Sequence, residues 1–97
     1  MPEPRVRLIG RDLLISGLVQ GVGFRWFFSQ QARRLGVGGW VRNLRDGRVE
    51  AHIYGTPTAV AAMLHWASSG PPGARVDEVL VEENNEPFHG FERRATI

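Results

Sequence analysis

At 97 residues the chain is long enough for one domain with one core, and its 42% hydrophobic content suits a folded globular protein. The formal net charge of +2 is too small an excess for a nucleic-acid-binding sheath. There is no cysteine and no lysine, which removes disulfides, thiolate metal sites and Schiff-base chemistry.

No apolar run approaches the roughly 20 residues that span a bilayer, and no charged start with an apolar stretch marks a secretory leader. The expectation is a cytoplasmic protein with no membrane partner. Residues 1–10 carry prolines and mixed polarity and read as an atypical N-terminal extension. Leu13–Val19 alternates, with Leu13, Ile15 and Val19 on one face and Gly17 among them, which predicts a strand.

Phe24, Phe27, Phe28, Ala32 and Leu35 recur at helical spacing, so Phe24–Leu35 is predicted as a helix. Gly36 stops it, and Arg33 and Arg34 suit the negative end of its dipole. Val37–Arg42 and Gly47–Tyr54 flank an Asp46-Gly47 hairpin signal. Thr56 with Pro57 opens a second helix whose Val60, Met63, Leu64 and Ala67 share a face. Gly70-Pro71-Pro72-Gly73 breaks it. Val76, Val79 and Val81 suggest a fourth strand with a bulge or a change of face. After a polar loop at 82–86, Phe91–Ile97 adds a short fifth strand.

The order is βαββαβ plus a short C-terminal strand. Right-handed crossovers then place both helices on one face of a mainly antiparallel sheet. The predicted class is α+β, a ferredoxin-like α/β sandwich, with residues 1–97 as a single domain.

The richest chemistry lies between the first strand and the first helix, in Gly17-Leu18-Val19-Gln20-Gly21-Val22-Gly23-Phe24-Arg25. Glycines let a backbone turn its N–H groups into a concavity, and a helix start adds unpaired donors and partial positive charge. Arg25 would add a planar fork that matches phosphoryl or carboxylate oxygens. The loop chemistry alone reads equally as an anion cradle or as a plain turn. Arg25 alone reads as a phosphate ligand or as a surface arginine that pairs with an acid. Asn43, at the predicted end of the second strand, reads by pattern alone as an Asx-turn residue. Gln20 is expected to contribute its backbone N–H, with its side chain pointing away.

The nine-residue string resembles the phosphate-binding loop of the acylphosphatases, G-x-V-Q-G-V-x-F-R, and every fixed position is met: Gly17, Val19, Gln20, Gly21, Val22, Phe24 and Arg25. Gly39-Trp40-Val41-Arg42-Asn43 followed by Asp46-Gly47-Arg48-Val49-Glu50 is similar to that family's G-W-V-x-N…D-G-x-V-E segment. The tail from Gly70-Pro71 through Ala74-Arg75-Val76 to Phe91 fits as well, so the resemblance runs from about Leu13 to the C-terminus.

The resemblance implies the ferredoxin-like fold and hydrolysis of acyl phosphates to a carboxylate and inorganic phosphate. It assigns catalysis to Arg25 and Asn43. The phosphate-binding loop would be Gln20, Gly21, Val22, Gly23, Phe24 and Arg25. Arg25 and loop amides would hold phosphoryl oxygens while Asn43 orients the attacking water. No metal and no cofactor are expected, since His52, His65 and His89 show no ligand spacing. No covalent nucleophile or general base stands beside the loop. The expected partners are a small acyl phosphate and the phosphate product, with the chain acting as a monomer.

Trp40 and Phe24 are expected in the core or in loop packing, and Trp26 and Trp66 as partly exposed helix residues. Two rival readings remain from other classes. One is a non-catalytic phosphate-binding domain, since acylphosphatase-like domains occur inside larger carbamoyl-transfer proteins. The other is a nucleic-acid-binding ferredoxin-like module, for which the third strand, with Tyr54 alone able to stack, is poorly equipped.

Overall fold

The computed structural model describes residues 7–97. In it, alternating apolar residues give five strands: β1 (Ile9–Leu18), β2 (Gly38–Asn43), β3 (Val49–Gly55), β4 (Arg75–Glu83) and β5 (Phe91–Arg93). Two helices, α1 (Phe24–Leu35) and α2 (Pro57–Ser69), interrupt them after β1 and after β3. The sheet order is β4-β1-β3-β2-β5. The pairs are antiparallel except β2 with β5, which is parallel. This is the expected ferredoxin-like sandwich.

Both helices pack on one face of the sheet. Leu13 and Ile15 of β1, Val41 of β2, and Val49, Ala51 and Ile53 of β3 point into that layer and are buried. Phe24, Phe28 and Ala32 of α1 and Val60, Met63 and Ala67 of α2 meet them. Phe28 lies 5.7 Å from Phe91 and 5.8 Å from Trp66 between ring centroids, so aromatic contacts tie β5 and α2 to α1. Ser29 is fully buried and donates its hydroxyl to Trp26 O, which satisfies it within the helix.

Two expectations are corrected. The strand predicted from Leu13 begins at Ile9, inside the segment read as extension. Ile9 pairs with Gly55 and Gly10 with Tyr54, so a ladder with β3 extends residues whose own propensity is weak. Residues 1–6 of that extension lie outside the described residues. Phe27 does not join the buried face of α1. It is 38% exposed and packs edge-on against Trp26 at 5.0 Å.

The irregular spacing in β4 is a bulge. Ser16 pairs with Glu78 and Gly17 with Val76, leaving Asp77 without an opposite residue. Val76 and Val79 thereby both pack against the core.

Among the described residues, no helix covers the other face of the sheet. The chain between β4 and β5 crosses its far end instead. His52 is buried there, with Nδ1 2.7 Å from Asp12 Oδ1 and Nε2 2.8 Å from Glu86 O. Gly10 and Gly38 lie beneath this crossing: a Cβ on either would collide with the carbonyl of Asn84 or Phe88. Trp40 also lies on this open face and not in the core, with the guanidinium groups of Arg42 and Arg94 4.8 and 4.7 Å from its ring.

Candidate active site

The site forms where β1 hands over to α1. Val19 is buried at the strand end, and Gln20–Gly23 bends sharply before the helix begins at Phe24. Gly21 and Gly23 sit in the left-handed region, with φ of 75° and 74°. Nothing lies within 4 Å of a Cβ built on Gly21, so backbone conformation rather than crowding calls for glycine there.

Gly23 is the N-cap of α1 and supplies no side-chain cap, and no acidic residue occupies the first turn. Phe27 N–H closes the first turn onto Gly23 O at 3.0 Å. The amides ahead of it have no helix carbonyl to meet and carry the positive end of the helix dipole.

Val19, Gln20, Gly21, Gly23, Phe24, Arg25, Trp26, Asn43 and Arg93 line one cleft of about 180 Å³ here. The structure therefore brings Arg25 and Asn43, more than a dozen residues apart in sequence, to one opening. Val22 is the one residue of the predicted loop that does not line it; its side chain packs against the core. Phe24 contributes its backbone end, since its ring is buried between Phe28 and Trp66.

The half-buried Arg25 is tethered by Nη1 to Arg94 O at 3.2 Å. Asn43 is the last residue of β2, and its carbonyl accepts from Ile97 N–H at 3.3 Å. The Gln20 side chain donates Nε2 to Leu44 O at 2.7 Å and to Arg48 O at 2.9 Å. That ties the cradle to the hairpin that carries Asn43. The hairpin is closed by Asp46, whose Oδ1 accepts Arg48 N–H and whose Oδ2 accepts Arg48 Nε. The hydrogen bond from the Arg48 side chain holds the Asp46 carboxyl below its ordinary value.

Among the described residues no carboxylate side chain lines the cleft, and two arginines do. Among the described residues, no group of three His, Asp or Glu side chains comes together in a way that could hold a metal ion. Sequence reasoning missed Arg93 and Trp26. The alternation of β5 could have found Arg93, since it lies on the same face as the core residue Phe91.

A cleft lined by Arg25 and Arg93 at the start of a helix, at one end of an α/β sandwich, has the electrostatics that suit an oxyanion. Comparison with known proteins makes the class specific. The acylphosphatase family model matches residues 11–93. An acylphosphatase of Thermococcus kodakarensis is 58% identical over 87 residues, which cover 89% of this chain and 96% of that relative. The structure of an acylphosphatase from Coxiella burnetii superposes with a TM-score of 0.86 at 35% identity, covering 90% of this chain and 93% of that one. Full-length HypF contains a similar fold, with a TM-score of 0.88 at 26% identity, over 98% of this chain but 13% of that one. The chain belongs to the acylphosphatase family, and its function is that of an acylphosphatase.

Proposed function

We propose that the Gln20–Arg25 cradle takes the phosphoryl group of a small acyl phosphate and that Asn43 holds the water that attacks it. The observation that carries this reading is the meeting of Arg25 and Asn43 in one cleft without a carboxylate side chain, at the start of α1. Arg25 and the amides of Gln20, Gly21, Val22, Gly23 and Phe24 bind the three phosphoryl oxygens. The Arg25 tether to Arg94 O fixes the guanidinium before substrate arrives. Preorganised donors of this kind stabilise charge that redistributes in the transition state.

An acyl phosphate is a mixed anhydride with a carboxylate leaving group. Water oxygen bonds to phosphorus as the bond from phosphorus to the acyl oxygen breaks. The leaving carboxylate departs as the anion and needs no proton. The water proton passes to a phosphoryl oxygen of the substrate itself. The reaction needs no metal, and the working unit is the monomer. Nucleic acid plays no part in this reading.

Turnover of acetyl phosphate in ¹⁸O-labelled water, with and without chelator, tests the proposal. The label is expected in inorganic phosphate, at a rate unaffected by chelator. Label in the acetate would show attack on the carbonyl carbon and refute it.

A further inference from the structure

Arg93 is an exposed cation at the edge of the cleft with no assigned role. Strand alternation sets its position. Phe91 points to the helices and is buried on Phe28, so Arg93, two residues on, shares that face. Glu92 and Arg94 point the other way. Arg94 donates Nε to Glu92 Oε2 at 3.3 Å and covers Trp40. Arg93 pairs with Val41 in the parallel β2–β5 ladder, one alternation short of Asn43 on the same face.

Arg93 lines the cradle cleft and also an adjoining open hollow of about 350 Å³ formed with Arg25, Arg94 and Ala95. Among the described residues no acidic side chain lines either space. Among the described residues Arg93 has no ion pair and donates no side-chain hydrogen bond, whereas Arg25 and Arg94 are both engaged.

We infer that Arg93 is a specificity residue that recognises a second anionic group, on the acyl portion of the substrate. The inference rests on the cradle reading above. With the phosphoryl group on Arg25 and the loop amides, the acyl group must leave the cleft through its rim. On one side the rim is Arg93 and the hollow beyond it. A carboxylate there gains a charge-assisted, fork-shaped partner that has no competing acid. An uncharged acyl group gains nothing from it. The substrates selected are acyl phosphates of dicarboxylic acids, or others with a further anion a few bonds from the scissile link.

The test compares kcat/KM for succinyl phosphate, acetyl phosphate and benzoyl phosphate at fixed ionic strength, in the wild type, Arg93→Gln and Arg93→Lys. Inorganic phosphate is measured as competitive inhibitor in each. The wild type is expected to favour succinyl over acetyl phosphate. The ratio is expected to fall roughly two- to five-fold in Arg93→Gln, a range suited to an exposed ion pair, and to recover in part in Arg93→Lys. Phosphate inhibition is expected to weaken less than succinyl phosphate turnover.

An unchanged ratio in Arg93→Gln overturns the inference. So does a loss of phosphate affinity as large as the loss of succinyl phosphate turnover, which would place Arg93 on the phosphoryl group. A preference for benzoyl phosphate that survives Arg93→Gln overturns it too and places the acyl group against Trp26. Failure of the wild type to turn over any of the three substrates refutes the cradle reading itself, and the inference with it.

Discussion

The side-chain amide of Gln20 donates to the carbonyl of Leu44 at 2.7 Å, and this bond, with its twin to Arg48 O at 2.9 Å, joins the two halves of the cleft. The cradle is carried by the β1–α1 turn and Asn43 by the β2–β3 hairpin. Among the described residues, Gln20 alone bridges them by side-chain hydrogen bonds.

Gln20→Ala should therefore move Asn43 without touching the anion donors. We expect kcat to drop about ten- to a hundred-fold, since small misplacements of a positioned group are costly. Stability should fall by about 1–2 kcal/mol. Gln20→Glu should be worse than alanine, because a carboxylate would face two carbonyl oxygens. Urea denaturation and steady-state kinetics on both variants check the order.

His52 should matter to folding and not to turnover. It is buried on the open face, bonded at both ring nitrogens, and clamps the β4–β5 crossing to the sheet. His52→Leu leaves the Glu86 carbonyl without this partner and should cost about 2–3 kcal/mol. kcat measured well below the melting temperature should stay near the wild-type value.

Asp46 gives a pH signature. Its carboxyl is held below the ordinary value of 3.8, chiefly by the Arg48 side-chain hydrogen bond. A depressed carboxyl contributes stability above its unfolded value and loses it as pH falls through the folded one. The contribution is thus present at neutral pH and is lost below about pH 4. Thermal melts of Asp46→Asn against wild type should differ at pH 7 and converge towards pH 2. The effect should be small, since the pair is exposed.

Much of this was legible in the chain. Helix α1 runs from Phe24 to Leu35 as its spacing predicts, and Gly36 ends it by donating its N–H to the last turn. Thr56 caps α2 and Pro57 opens it. These are local signals, fixed by a few neighbouring residues. What was not legible depended on partners distant in sequence. β1 starts early because β3 pairs with it; Trp40 faces away from the core by alternation with buried Val41, and the two arginines that cover it there, Arg42 and Arg94, come from different strands' ends. The meeting of Arg25 and Asn43 was implied by family resemblance alone, because no local pattern links a helix start to a strand end. The tie through Gln20 Nε2 left no sequence signal beyond the residue itself.

Arg25→Lys should be nearly as damaging as Arg25→Gln, although it keeps the charge. The guanidinium is already fixed on Arg94 O and can present a second edge to the phosphoryl oxygens. Lysine presents a flexible point charge. Each variant should lose about 10²-fold or more in kcat/KM. Melting temperatures should change little. A lysine variant with a large share of wild-type activity would show that Arg25 supplies charge alone.

The central claim is a division of labour, with the cradle on the phosphoryl group and Asn43 on the water. Asn43→Ala separates the two most directly. Turnover of acetyl phosphate and competitive inhibition by inorganic phosphate are measured on the same folded preparation. Turnover is expected to fall roughly 10²–10³-fold while the phosphate inhibition constant stays within about two-fold. A parallel collapse of phosphate affinity would place Asn43 on the anion, and near-normal turnover would remove it from the chemistry; either result contradicts the account.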